Sequence, residues 1–333
     1  MIEKERSFPY SLLGLQALQQ RLAINHPQAG NLKERIRVAT AGVNGERILN
    51  DVFIKYKFGF KHFIFHDLSL TSTGKFQIDT LFLSGQGAFI LEVKNIAGRI
   101  SFPKQWNQLV RVLDNGRVDA FECPSVQLER NRYLLEDWFQ ARGLSIPIGG
   151  AVVFPKSRQQ IDNTREGLTI LFPNEIPNVL RKRESMASVI DAQTLAYIAD
   201  ELLKGHTDYN PYPLCGKLHI SPNDIKSGVL CEKCGTLGMT RISRGWGCIV
   251  CRTVSKTAYR QAIADWFMLK SDTMTNRDCR EFLHIPNNYT ATRLMGELPL
   301  EPGGESRGRY YRFPLNKMIM RQVKSPELQA NRH

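Results

Sequence analysis

Residues 76–95 read FQIDTLFLSGQGAFILEVKN. Two apolar runs, Phe76–Leu83 and Ala88–Lys94, flank Ser84-Gly85-Gln86-Gly87, and together they predict an antiparallel hairpin. In a strand, residues two apart face the same way. Glu92 and Lys94 therefore project together while Val93 faces the core, and Gln77 shares a side with Asp79. The hairpin can bring Asp79 close to Glu92. Two neighbouring carboxylates repel each other and invite a divalent cation, and magnesium takes oxygen ligands. Lys94 can orient or activate water, or stabilise charge building on a phosphate. These are the parts that metal-assisted phosphodiester hydrolysis needs. Glu46, on a helix before the sheet, can add a third carboxylate, and Gln127 is a candidate orienting residue near the start of a later helix. An acid, a twelve-residue gap and Glu-x-Lys also recur by chance. A surface salt bridge between strands accounts for the same residues.

Outward from the hairpin, helical spacing predicts helices over 10–24 and 32–56, the second with a weak point at Gly42-Val43-Asn44-Gly45. Phe63-Ile64-Phe65 begins a strand. Residues 98–120 read as short strands around the turn Asp114-Asn115-Gly116. Pro124 opens a helix reaching Gln140. Strands are predicted at 148–154 and 168–172, a short helix at 176–180 and a helix at 187–203. The stretch 205–213 has linker composition. Five regions result: an N-terminal helical region (1–37), an α/β domain (38–204), a linker (205–230), a cysteine module (231–255) and a C-terminal unit (256–333).

The chain has 333 residues, with 45 Lys plus Arg against 32 Asp plus Glu. The excess is uneven: residues 215–333 hold 19 basic and 10 acidic side chains. Such a surface attracts nucleic acid or an anionic membrane by the same field. A hydrophobic content of 42% excludes a wholly disordered chain. No run approaches the ~18 apolar residues of a membrane span. The start MIEKERSFPYSLL lacks a continuous apolar segment, so a secretory signal is not expected. A cytoplasmic protein without membrane association is the expectation. No phosphate-binding glycine loop ending in Lys-Ser/Thr is present, so nothing points to ATP.

Gly42-x-x-Gly45-Glu46, then Gln77-Ile78-Asp79, then Ile90-Leu91-Glu92-Val93-Lys94-Asn95 with Gly98, then Trp106, then Cys123-Pro124-x-x-Gln127 and Asn131 resemble the nuclease-related domain called NERD. The resemblance covers roughly residues 38–155, with an extension toward 180. That family is considered similar to the restriction-endonuclease-like fold with a PD-(D/E)xK site. The resemblance implies a magnesium- or manganese-dependent nuclease role for Glu46, Asp79, Glu92 and Lys94, with Gln127 as an associated residue. Ile78 rather than Pro precedes Asp79, which departs from the motif's name but keeps its acid–acid–lysine chemistry. An inactive DNA-binding relative would keep the fold. Asn95 and Gly98 read as turn residues, and Trp106 as a packing residue before a base-stacking one.

Cys231-x-x-Cys234 and Cys248-x-x-Cys251 supply four thiolates, the tetrahedral set preferred by structural zinc. The pattern looks like a zinc ribbon. An iron–sulfur centre uses the same ligands, and a redox CxxC needs no second pair. Seven cysteines, an odd number, argue against a closed disulfide framework, and Cys123 and Cys279 read as packed thiols. Arg241, Arg244, Trp246 and Arg252 surround the second pair and can hold phosphate and stack a base; the alternative is a solvated rim with Trp246 covering the core.

Beyond it, three helical stretches (258–269, one capped by Thr275 with Asp278, and 289–295) precede a Gly-rich turn at 303–308. This layout resembles a winged-helix module, with Thr290, Thr292 and Arg293 facing a groove and Arg307, Arg309 and Arg312 on the wing. A helical adaptor is the alternative. The expected protein is a restriction-endonuclease-like α/β core joined to a four-cysteine zinc ribbon and an α+β winged-helix-like unit. Its expected activity is metal-dependent cleavage of nucleic acid, DNA by preference. The rival is a noncatalytic nucleic-acid-binding or regulatory protein.

Overall fold

The computed structural model describes residues 1–314 apart from Lys104, Arg165 and Arg244, and excludes the Arg307 side chain. The architecture is mixed α/β. Two compact units divide the chain, one of Met1–Ser7 with Val38–Tyr209, the other of Phe8–Arg37 with the chain from Asn210 on. The chain opens with strand β1 (Ile2–Lys4), helix α1 (Tyr10–Arg21) and helix α2 (Ala29–Lys55). Helix α1 belongs to the second unit, and α2 enters the first unit at Val38. There follow β2 (His62–Thr71), β3 (Lys75–Ser84), β4 (Gly87–Val93), β5 (Arg99–Ser101), β6 (Gln108–Val112) and β7 (Val118–Glu122). Next come α3 (Pro124–Gln140), β8 (Ile148–Val153), β9 (Ile161–Asp162), β10 (Ile170–Leu171), α4 (Ile176–Glu184) and α5 (Ala192–Gly205).

In the first unit a six-stranded sheet runs in the order β1-β2-β3-β4-β8-β10. Strands β2, β3 and β4 are antiparallel, and β4 continues into parallel pairing with β8. Leu135 and Trp138 of α3 and Ile198 and Leu202 of α5 cover one face. Leu49, Val52 and Phe53 of α2 and Ile176 and Leu180 of α4 cover the other. Covering on both faces explains why β4 reads as an apolar run: all seven residues of GAFILEV are buried, Glu92 among them. A smaller sheet, ordered β7-β6-β5-β9, is attached.

Helix α2 runs unbroken through the weak point expected at Gly42–Gly45. Gly45 is there for proximity: a Cβ on it would lie 2.7 Å from Asn95 Cβ and 3.3 Å from Val93 Cγ1. The missing side chain lets the helix approach the end of β4 and sets the next residue, Glu46, against the sheet. Asn95 Nδ2 ties the two together through Ala41 O at 2.7 Å. Strand β2 extends to Thr71, well past Phe65, because it pairs with β3 as far as Thr71↔Lys75, and it carries His66, Asp67 and Ser69 as buried polar residues. Helix α5 starts at Ala192 because the Asp191 carboxylate accepts the Gln193 and Thr194 N–H groups. Trp106 is 65% exposed, which corrects its reading as a packing residue.

The second unit continues with α6 (Leu214–Lys217), β11 (Val229–Leu230), β12 (Leu237–Ile242), β13 (Gly245–Gly247) and β14 (Val254–Ser255). Then come α7 (Ala258–Leu269), β15 (Thr273–Thr275), α8 (Asn276–Leu283), α9 (Asn288–Gly296), β16 (Glu301–Gly303) and β17 (Tyr310–Arg312). Strands β11–β14 form an antiparallel sheet, and β15, β17 and β16 form another in that order. The stretch 205–230, linker-like in composition, carries buried Leu214, Cys215, Ile220 and Ile225. Arg21 of α1 and Asp265 of α7 form a fully buried ion pair at 2.6 Å. Arg21 also donates to Lys226 O and Gly228 O and lies over the Phe282 ring. Thr275 and Asp278 complete a reciprocal capping box at the start of α8.

Candidate active site and metal centre

The β3–β4 ladder has Thr80↔Leu91 as its final pair. Beyond it the strands part, and the Val93 N–H donates 2.8 Å to Asp79 Oδ2 rather than to a backbone carbonyl. At this fork Lys94 Nζ lies 2.9 Å from Glu92 Oε1 and 2.7 Å from Gln127 Oε1, where Gln127 projects from the first turn of α3. Glu92 is 1% exposed, so its pairing with Lys94 is not a surface bridge. Its second oxygen, Oε2, is buried without a hydrogen-bond partner. Asn131 of α3 donates to Gln77 O at 2.9 Å and fixes the helix against β3.

Glu46 joins from α2 and is held by Arg6 Nη1 at 3.3 Å. Arg6 was not singled out in the sequence, and neither were two further buried neighbours, Asp67 and His66. Arg6 Nη1 lies 2.6 Å from Asp67 Oδ1. Asp67 stands opposite Asp79 in the β2–β3 register, between the pairs His66↔Thr80 and Leu68↔Ile78. Among the described residues, the acids do not close into a group of three ligand atoms within 4.8 Å of one another; only the four cysteines do. Each acid has its own partner instead: Arg6 for Glu46 and Asp67, the Val93 N–H for Asp79, and Lys94 for Glu92.

Burial dominates the electrostatics here. It raises the Glu92 carboxyl to about 8, helped by Asp79 and opposed by Lys94. It raises Glu46 to about 7, with Asp79 and Asp67 adding and Arg6 opposing. Asp79 and Asp67 are raised by the same cause. His66 is lowered to about 3 by burial and by the Arg6 and Lys4 charges, so it is neutral. Crowded at low dielectric, Glu46 and Glu92 hold protons near neutral pH. A divalent cation would displace those protons. The oxygen donors, the orphaned Glu92 Oε2 among them, are of the chemical kind that magnesium or manganese takes, without converging on one point.

In the second unit, the Sγ atoms of Cys231, Cys234, Cys248 and Cys251 all lie within 4.8 Å of one another. Cys231 and Cys251 are 3.5 Å apart, and Cys234 and Cys248 are 3.6 Å apart. A tetrahedron with ~2.3 Å zinc–sulfur bonds has edges of ~3.8 Å, so the set fits such an ion. The two knuckles are built alike. The Cys231 N–H reaches Thr236 O and the Cys248 N–H reaches Thr253 O. The fourth residue after each of these cysteines' carbonyls turns left-handed: Gly235 with φ +70 and Arg252 with φ +59. Arg252 thus does in the second knuckle what Gly235 does in the first.

The remaining sequence candidates are spread over the second unit. Arg241 donates to Gly245 O at 2.7 Å, and its guanidinium carbon lies 5.7 Å from the Trp246 ring centroid. Trp246 is 1% exposed and covers the ribbon's core, so it presents no face to a base. Arg252, Arg309 and Arg312 are exposed. Arg293 is exposed and paired with Glu297 at 2.7 Å. Arg244 and the Arg307 side chain lie outside the described residues. Cys123 and Cys279 are buried thiols.

No curated protein and no solved structure matches the chain. Among the described residues, no helix is long and apolar enough to cross a membrane. The model of the nuclease-related domain, NERD, matches residues 41–155. The chain therefore carries a nuclease-related domain, and that region contains Glu46, Asp67, Asp79, Glu92, Lys94 and Gln127.

Proposed function

We propose that the protein is a magnesium- or manganese-dependent nuclease that hydrolyses phosphodiester bonds in DNA. The observation that carries this reading is the fork between β3 and β4. There a buried Glu92 with an unpartnered oxygen sits beside Lys94, which Gln127 holds from α3. Asp79, Glu92 and Glu46 would hold the cation, which supplies charge neutralisation and an activated water when bound. Lys94, fixed between two side-chain oxygens, orients the attacking water or offsets charge on the phosphate. Gln127 keeps the lysine on that task. The burial of Glu92 limits bulk water around the reacting group.

The four cysteines would hold a structural zinc, because four thiolates leave no open position for chemistry. The first unit takes the restriction-endonuclease-like role. Helices α7–α9 with the β15–β17–β16 sheet would act as a winged-helix module. Arg252, Arg293, Arg309 and Arg312, with Arg241, would contact phosphate. A noncatalytic nucleic-acid-binding role is the second reading. It is favoured by the acids' having protein partners instead of converging on one point.

Labelled single-stranded, duplex and branched DNA and RNA, incubated with magnesium, manganese or chelator, separate the two. The nuclease reading expects metal-dependent cleavage. Binding that weakens with salt but never yields product favours the second reading.

A further inference from the structure

The family match begins at residue 41, yet a side chain from residue 6 ends inside the acidic cluster. A short anchor puts it there. Strand β1 pairs in parallel with β2, Ile2 with Ile64 and Lys4 with Phe65. Lys4 Nζ donates 2.8 Å to His66 O. The Ser7 N–H donates 2.9 Å to Asp67 Oδ2. Between these two ties, the Arg6 side chain is 12% exposed.

Acceptor groups surround its guanidinium. Nη1 meets Asp67 Oδ1 at 2.6 Å, Glu46 Oε2 at 3.3 Å and Asp79 O at 3.4 Å. Nη2 lies 3.3 Å from both Thr80 Oγ1 and His66 Nδ1. The backbone is bent to make this cage: Asp67 takes φ +49, a left-handed conformation rare for a residue with a Cβ. Two carboxylates and a carbonyl around Nη1, with a hydroxyl and an imidazole around Nη2, are donors of the kind that hold a cation. Here a cation already sits among them, one that cannot lose its charge.

The cations and acids therefore divide into two groups. Arg6 serves Glu46 and Asp67, and Lys94 serves one oxygen of Glu92. The Asp79 carboxylate and Glu92 Oε2 remain without a hydrogen-bonded protein cation among the described residues. A divalent ion bonds to oxygen at about 2.0–2.1 Å for magnesium. It cannot reach Asp67 Oδ1 and Glu46 Oε2 together while a nitrogen lies between them.

We propose that Arg6 is a built-in cation of this centre: it fills the cage between Glu46 and Asp67, so that the centre takes one divalent ion, beside Asp79 and Glu92, instead of two. Arg6 is then a positioning residue contributed from outside the family region. It turns Glu46 through one oxygen and leaves the other for the ion. The inference rests on the metal-dependent reading of the same site.

The test counts manganese ions on the full-length, zinc-loaded chain by calorimetric titration, with free manganese followed by electron paramagnetic resonance. The wild-type protein is expected to take one manganese, and Arg6→Met and Arg6→Gln two. Arg6→Lys, which restores a cation, returns the count to one, as does Asp67→Asn added to Arg6→Met. A merely structural role for Arg6 would not produce a second ion. Two manganese ions on the wild-type protein overturn the inference and leave the metal-dependent reading standing. So does one ion on the wild-type protein and only one on a folded neutral variant. No manganese on the wild-type protein overturns both. If the neutral variants are unstable, their melting temperatures provide the count's substitute: saturating manganese should raise them more than it raises the wild-type value. An equal rise counts against the inference.

Discussion

Divalent-ion binding at the β3–β4 fork should release protons, and the amount follows from burial. In the metal-free protein Glu92 titrates at about 8 and Glu46 at about 7. At pH 6.5 both are mostly protonated, and an ion that requires them ionised would expel about 1.7 protons. At pH 8.5 the figure falls to about 0.3. The logarithm of the apparent association constant should therefore rise by about 1.7 per pH unit near pH 6.5 and flatten above pH 8. Titration calorimetry in buffers of different ionisation enthalpy measures the protons directly. In Glu92→Gln protein the release at pH 6.5 should fall by about one proton. Equal heats in all buffers at pH 6.5 would mean that the carboxylates were already ionised. The claim that burial controls this site would then be refuted.

The same protons set the stability of the metal-free protein. A carboxyl raised above its unfolded value stabilises the fold below the unfolded pKa, and that stabilisation is lost as pH rises through the folded one. Thermal melts in chelator should thus fall between pH 5 and pH 8, by up to ~1.4 kcal/mol per pH unit for each group, and magnesium should reverse the fall. In the second unit, Asp265→Ala strands a buried guanidinium and should cost ~3–5 kcal/mol in denaturant unfolding, while Arg21→Met with Asp265→Leu should recover much of it. Gly45→Ala forces a Cβ against Asn95 and Val93; overpacking of ~1–3 kcal/mol outweighs the ~1 kcal/mol gain in helix propensity, and cleavage should drop with it because Glu46 moves. Elemental analysis should find one zinc per chain, and Cys248→Ser should lose it together with hydrogen-exchange protection over residues 229–255.

How much of this was legible in the sequence depends on distance along the chain. Asp79, Glu92 and Lys94 lie on one hairpin, so a two-residue period and a Gly-rich turn sufficed to align them. The four cysteines carry their geometry in their spacing. Helix α2 is legible as one helix, but composition marks Gly42–Gly45 as its weak point and cannot tell a glycine that weakens a helix from one that admits a neighbour. Trp246 and Trp106 traded places: the tryptophan inside the small ribbon is buried, and the one beside the nuclease-like sheet is exposed. Arg6 gave no signal at all. It meets Asp67, Asp79 and Thr80 only through a three-residue parallel strand, and no local pattern marks such a pairing. His66 and Asp67 look like the end of a strand by polarity, and only the cage around Arg6 explains why they are buried.

On the proposed function, the buried Glu92–Lys94 pair at the fork cuts phosphodiester bonds with a divalent ion. Cleavage of labelled duplex and single-stranded DNA by the wild-type, Glu92→Ala and Lys94→Ala proteins, each purified identically and assayed in manganese and in chelator, tests it most directly. Product is expected from the wild-type protein in manganese alone and from neither variant, with all three proteins binding DNA comparably. Product formed equally by the variants, or none from a wild-type protein that binds both manganese and DNA, would contradict it.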